Sequence, residues 1–321
     1  MKILLTGATG AIGYALTRQL ARAGHEVTGL VRSAEKGELV VAQGGQFVLG
    51  DTLDEALVHA AMRRVRPDAI VHEATALGNG IPVTRFDELF ALTNRIRTEG
   101  TDYLLDAAAA NGVAKIVVQS FCGWPLAKFG GPAASETHPF DTALPARQRS
   151  TSYALQYCEA AVAEAPLEGV ALRYGGFYGP HTSICPGGST VDDLLHRRFP
   201  ILGNGGGYWS FIHVEDAAAA TIAALEPGRH GVYNIVDDEP AQVCNWVPYL
   251  ARLADAPAPM HLPKFVGQLV GSHVLSMMTE VRGGSNAKAK RELGWTPRYG
   301  SWRDGFAATF ATMQERELEA V

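Results

Sequence analysis

The apolar positions of this chain fall into two alternating periods. Short apolar runs at 2–5 (K-I-L-L), 25–32 (H-E-V-T-G-L-V-R), 46–50 (Q-F-V-L-G), 69–74 (A-I-V-H-E-A), 115–118 (K-I-V-V), 169–174 (G-V-A-L-R-Y) and 232–236 (V-Y-N-I-V) predict buried strands. Between them lie stretches of helical spacing. The first has Ile12, Leu16, Leu20 and Ala23 on one face and stops at Gly24. A second helix opens after Asp51. A long one over 89–111 carries Leu92, Ile96, Leu104, Leu105 and Ala108 and ends at Asn111-Gly112; others cover 150–165 and 217–225. Strands alternating with helices predict an α/β, doubly wound parallel sheet. Beyond Pro180 glycine- and proline-rich loops alternate with short helices, and no internal repeat is visible.

Composition narrows the function classes. The 321 residues are 47% hydrophobic and 19% charged, with a net charge of -5, enough for a full core and too acidic for a nucleic-acid surface. The cysteines at 122, 158, 185 and 244 form no C-x-x-C pair, so neither a metal site nor a disulfide framework is expected, and a reduced cytoplasmic setting fits. No segment reaches the length of a membrane span, and the N-terminal apolar run is too short for a signal peptide.

The chemistry begins where the first strand meets the first helix. Residues 6–13 read T-G-A-T-G-A-I-G, with glycines at 7, 10 and 13. Strand, glycine turn and helix together let backbone N–H groups approach a pyrophosphate at a helix N-terminus. The second strand ends in Val31-Arg32, with no acidic residue to accept from a ribose 2′-OH, which favours NADP while leaving NAD open. Asp51 ends the third strand and is either an adenine contact or a helix cap.

This G-x-x-G-x-x-G turn, preceded by Thr6, resembles the extended short-chain dehydrogenase/reductase superfamily, the NAD(P)-dependent epimerase/dehydratase family. The W-S-F-I-H-V-E-D segment at 209–216 and the L-G-W-T-P at 293–297 carry the resemblance through the whole chain. It implies a doubly wound Rossmann fold over 1–175 plus 211–236, and a small substrate-binding lobe over 176–210 and 237–321. It places cofactor contacts at Gly7, Thr9, Gly10, Ala11, Ile12, Gly13, Arg32, Asp51, Thr52, Ala74, Thr75, Asn94 and Tyr174. It also implies a homodimer, joined through the helices at 89–111 and 150–165 with their alanine-rich faces.

In that family a Tyr moves the proton, a Lys four residues later lowers its pKa, and a Ser or Thr after the fifth strand orients the substrate oxygen. Tyr153 matches the Tyr, but Tyr157 stands where the Lys belongs. Phe121 stands at the Ser/Thr position, with Ser120 one place earlier. A tyrosine with a reference pKa of about 10 and no cation beside it donates a proton but serves poorly as a base. Tyr157 can offer a neutral hydrogen bond to a ribose, and Cys122, His181 and His213 are the remaining proton carriers. Trp209 occupies the place of the Arg that holds a nucleotide diphosphate in the sugar-modifying members. With Phe121, Trp124, Phe177 and Tyr178 it predicts an apolar or aromatic pocket, joined by Met277 and Met278.

The expected function is therefore an NAD(P)-dependent oxidoreductase acting on an apolar or aromatic carbonyl or hydroxyl compound. A non-catalytic dinucleotide-binding sensor or scaffold and a nucleotide-sugar epimerase/dehydratase stay open as alternatives.

Overall fold

The computed structural model describes residues 1–77 and 83–319, with side chains through 313. Residues 78–82, which include Gly78, Gly80 and Pro82, lie outside the described residues. Seven parallel strands form the central sheet. β1 (Lys2–Thr6), β2 (Glu26–Val31), β3 (Gln46–Leu49), β4 (Ala69–His72) and β5 (Lys115–Phe121) are joined by Glu168–Tyr174 and Gly231–Ile235. Their spatial order is Gly231–Ile235, Glu168–Tyr174, β5, β4, β1, β2, β3. In register, Leu4 lies between Thr28 on one side and Ile70 on the other. The order reverses beside β1, so a crevice opens at the carboxyl ends of β1 and β4, where ligands bind in open α/β sheets.

Ile3, Leu4 and Leu5 are all fully buried because helices cover both faces of the sheet, which is why β1 reads as a continuous apolar run. Ile3 and Leu5 pack under α1 (Ala11–Arg22) and the helix Val214–Ala224; Leu4 packs toward α3 (Glu55–Val65), with α2 (Ala34–Val41) preceding it in the chain. Each such side chain contributes roughly 1.5–3 kcal/mol by its removal from water. A further core gathers residues after 177, with Trp246, Trp302 and Phe306 at its centre. The C-terminal helix Trp302–Glu319, which the apolar pattern did not predict, supplies Trp302, Phe306 and Phe310 to it.

The helical stretch expected over 89–111 is not one helix. α4 (Phe86–Arg95) runs into a π-turn at Ile96–Gly100 and then into α5 (Thr101–Asn111), capped by Gly112 in the left-handed region at φ +67°. The wider turn rotates the face, so Leu92, expected inside, is exposed while Arg97 is buried. α6 (Ala146–Glu164) begins earlier than expected, with Pro145 at its N-cap. Ala107 and Ala108 of the alanine-rich faces pack on the chain's own sheet, whereas Ala109, Ala110 and Ala160 stay exposed.

Candidate active site

The glycine turn is built from three glycines with different tasks. Gly7 turns the chain at φ +77°, and a Cβ there would stand 2.6 Å from the Glu73 backbone. A Cβ on Gly13 would stand 2.2 Å from the Gly7 carbonyl oxygen, so α1 packs directly on the turn. Gly10 is exposed, has no side-chain cap to offer α1, and a Cβ there would meet only the Gly7 carbonyl oxygen at 3.2 Å. The N–H groups that open α1, at Ala11 and Ile12, are thus left for an anion, with the helix dipole in support. The Ile12 side chain is in the core, so its part is backbone only, and Thr9 is half-buried beside it. This cradle fits the pyrophosphate of a dinucleotide.

Around it, Arg32 is exposed just past β2 and forms no ion pair among the described residues. Asp51 does not cap α3. Its Oδ1 accepts from the Leu53 N–H at 3.0 Å, and Asp54 is the cap, accepting from the Leu57 N–H at 3.0 Å. Thr52 is buried, and a Cβ on Gly100 would come within 3.0 Å of its methyl group. Ala74 is half-buried and Thr75 exposed, on the strand exit that passes Gly7.

Tyr174 corrects an expectation. It is 1% exposed, and its hydroxyl donates to Glu73 Oε1 at 2.9 Å and pairs with Thr221 Oγ1 at 2.7 Å, so it belongs to the wall behind the turn. Burial pushes the Glu73 carboxyl up to about 8, and its Oε2 has no partner among the described residues. Beside it, burial lowers His72 to about 4. With Nε2 donating to the Ile96 carbonyl at 3.3 Å, its Nδ1 accepts from the Thr6 hydroxyl at 2.6 Å.

The α6 corner corrects the catalytic expectations. The face of α6 that meets the sheet carries Gln148, Thr151, Leu155, Cys158, Glu159 and Val162. Tyr153 lies on the opposite face and is 63% exposed. Tyr157 shares that outer side; its hydroxyl donates to the Asp102 carboxylate at 2.8 Å, a contact that pushes it up to about 12. Ser120 points behind the sheet, where its hydroxyl donates to Glu159 Oε1 at 2.5 Å, within the buried Glu159–Arg173 pair. Tyr153 and Tyr157 lie side by side on the outer face, 6.1 Å between ring centroids, and Ser120 does not join them.

The residues that do occupy the corner at a spacing of four are Thr151 and Leu155, both fully buried. Asn94 Nδ2 donates to Thr151 Oγ1 at 3.1 Å, which places Asn94 at this corner and not on the open surface. Leu155 clusters with Phe86, Trp124, Leu144 and Val281, and Phe121 packs against them. The inward apolar spacing of Leu155, Cys158 and Val162 was the sequence signal that sets the helix phase and excludes Tyr153.

A cavity of about 60 Å³ opens here, lined by Phe121, Cys122, Gly123, Trp124, Gly176, Trp209, Ser210, Met277 and Val281. Three of the expected pocket residues, Phe121, Trp124 and Trp209, are brought together, and Met277 joins them. Tyr178 is not among them: it is fully buried, edge-on to His213 and Phe306, with Gly305 packed against its ring. Phe177 instead packs near Tyr174, at 5.2 Å between ring centroids, and Met278 joins the second core. Trp209 is fixed by its Nε1 donating to the Met277 carbonyl at 2.7 Å.

Among the described residues that line the cavity, none is suited to carry a proton. Burial pushes the Cys122 thiol up to about 12, and Ser210 Oγ accepts from the Gly284 N–H at 2.9 Å. His213 caps the helix that follows it, accepting from the Glu215 N–H at 3.1 Å, and burial lowers it to about 4. His181 is exposed and stacks on Tyr14 at 4.7 Å. Among the described residues no cluster suits a metal ion, and no helix is long and apolar enough to cross a membrane.

A model of the NAD dependent epimerase/dehydratase family matches residues 3–236. A 3-diazoavenalumate denitrifying reductase of a Streptomyces species is 38% identical, the match covering 95% of this chain and 99% of that protein. A dTDP-4-dehydro-6-deoxy-D-allose reductase of Streptomyces bikiniensis is 28% identical over 79% of this chain and 80% of its own. In fold, the chain is similar to the UDP-glucose 4-epimerase of Thermus thermophilus in complex with NAD, with a TM-score of 0.75, 24% identity and coverage of 98% and 99%.

Proposed function

This chain belongs to the NAD dependent epimerase/dehydratase family, and we propose that it is a reductase of an aromatic diazo compound, a reaction in which no side chain supplies a proton. The observation that carries this reading is the cavity: mostly aromatic and aliphatic walls beside Cys122 and Ser210, with no carboxylate, histidine or lysine among the described residues that line it. A carbonyl being reduced must take a proton onto oxygen, and Thr151, Leu155 and Phe121 stand where a donor, its cation and its partner hydroxyl would be needed. An arene diazonium ion has no such need. A dihydronicotinamide held in the cradle of Gly7, Gly10 and Gly13 would supply a hydride, and the sum of hydride and diazonium is the arene plus dinitrogen, with the carbon–nitrogen bond replaced by carbon–hydrogen. Phe121, Trp124 and Trp209 offer ring faces that attract a cationic aromatic group. The Streptomyces relative, named for a diazo substrate and a denitrifying reduction, supports the same class. Trp209, its N–H held by a backbone carbonyl, offers no charge to a nucleotide diphosphate, which weighs against a sugar nucleotide.

The remaining assignments follow from this reading. The cradle at Gly7, Gly10 and Gly13, with Asp51 and Thr52, holds the cofactor. Exposed Arg32 supports use of NADP alongside the family's NAD. The second core, from Tyr178 to Phe310, serves as the substrate lobe. Tyr153, Leu92 and the exposed alanines of α5 and α6 support a homodimer seam, and four unpaired cysteines support a cytoplasmic setting.

The test is turnover with 3-diazoavenalumate, the compound in the relative's name, or another arene diazonium compound, and either reduced cofactor, following cofactor absorbance and dinitrogen release against the protein-free rate. Deuterium at the transferable position of the cofactor should appear on the ring carbon that lost nitrogen. Turnover of ketones, aldehydes or sugar nucleotides with none of the diazo compound would sink the reading.

A further inference from the structure

Arg97 lies in the π-turn at Ile96–Gly100, a kind of turn found often at functional sites. It is 6% exposed, and neither Nε nor Nη1 has a hydrogen-bond partner among the described residues. Burial lowers its pKa to about 10, which still leaves it charged at neutral pH. The chain handles its other buried guanidinium differently. Arg173 meets Glu159 through two bonds of 2.7 and 2.6 Å. An unpaired buried charge is costly by the general rule, so Arg97 calls for an acceptor that the described residues do not provide.

Its surroundings exclude an internal one. His72 uses both ring nitrogens, on Thr6 and on the Ile96 carbonyl. Thr101 Oγ1 and Cys158 Sγ face each other at 3.5 Å. Asn94 Oδ1 is itself without a partner and is not bonded to Arg97. The position is informative too. Asn94 meets Thr151, and Thr101 meets Cys158, both at a separation of 57 residues. The same offset sets Arg97 beside Ala154, next to Leu155. On the sheet side His72 ties Arg97's neighbour Ile96 to Thr6, the residue before the glycine turn. The π-turn that carries Arg97 is therefore packed between β4, through His72, and α6, through Thr151 and Cys158, below the corner where the cradle and the cavity meet.

We propose that Arg97 is the cation of this corner and donates to oxygens of the second ribose of the dinucleotide, the one that bears the reactive ring. The charge reaches the corner from the π-turn, in place of a lysine on α6. This rests on the reading that the cradle binds a nicotinamide dinucleotide, and the test separates the two. ADP contains the adenosine half and the pyrophosphate; ADP-ribose adds the second ribose. Calorimetric titration of both into the wild-type chain, Arg97→Met and Arg97→Lys is the experiment, with thermal melts to confirm folding. Arg97→Met should bind ADP-ribose at least tenfold more weakly and ADP unchanged; Arg97→Lys should lose several-fold for ADP-ribose alone. Should Arg97→Met fail to fold, the Lys variant carries the same contrast. Equal affinity of wild type and variants for ADP-ribose overturns the role of Arg97, as does an equal loss for both ligands. Failure of wild type to bind either ligand overturns the cradle reading, and this proposal with it.

Discussion

The glycine turn and the α6 corner lie at the carboxyl edge of one sheet, yet they keep different parts of the family pattern. The turn works through backbone: N–H groups, a helix dipole, and glycines that let the elements touch. The corner works through side chains, and Thr151, Leu155 and Phe121 fill it with almost no chemistry of their own. A backbone device fails if any atom is added, because the surrounding atoms cannot move. A side-chain device can be exchanged for another while the helix and strand beneath it stay as they are. The fold can therefore hold a cofactor in the inherited way while the reaction beside it changes.

Four experiments bear on this contrast. The largest effect belongs to Gly13→Ala. Its Cβ would sit 2.2 Å from the Gly7 carbonyl oxygen, so the turn must shift. The expected outcome is a stability loss of about 3 kcal/mol in urea unfolding, with cofactor affinity down by more than about 100-fold, an energy of roughly 2.7 kcal/mol. Wild-type values for both would show that the turn is not rigid.

Next comes Leu155→Lys, which puts a charge at a fully buried position among Trp124, Phe86 and Val281. A charge without a partner there should cost on the order of 3 kcal/mol, against less than about 1.5 kcal/mol for the volume-conserving Leu155→Met. Equilibrium denaturation of the two variants compares them directly. A stable Lys variant that gains carbonyl reductase activity would mean the corner is still open to the old chemistry.

The third test uses pH on the wall behind the turn. Glu73 has a folded pKa raised to about 8 from 4.5. Its neutral form is favoured in the fold, so its contribution is full below the unfolded value and is lost as pH rises through 8. The histidines act with the opposite sign. His72 and His213, lowered to about 4, contribute fully above the unfolded value of 6.5 and lose that contribution as pH falls through 4. From pH 6.5 to 8.5 the carboxyl terms remain, that of Glu73 and that of Asp237, which burial likewise raises to about 8. The melting temperature of the wild type should then fall by about 5 °C, and that of Glu73→Gln, which still accepts from Tyr174 and keeps only the Asp237 share, should fall by about half as much.

The smallest effect is expected of Tyr153→Phe. An exposed hydroxyl on the outer face of α6 should change kcat/KM by less than about twofold, under roughly 0.4 kcal/mol. A steady-state comparison is enough, and a tenfold fall would return Tyr153 to the reaction.

The strands, their alternation with helices and the glycine turn were legible in the sequence because each rests on local spacing. Ile3 to Leu5 can only be a strand covered on both faces, and Gly7, Gly10 and Gly13 act through the backbone they lack side chains to obstruct. The aromatic character of the cavity was legible as well, since Phe121, Trp124 and Trp209 follow strand ends or precede them. Which side chains meet there was decided by tertiary structure. The phase of α6 turns Thr151 and Leu155 inward and Tyr153 out, the strand alternation sends Ser120 to Glu159, and the π-turn buries Arg97. These are rotations of one residue about a helix or strand axis. A sequence fixes them only through the packing of every neighbour, and that packing exists only in the folded chain.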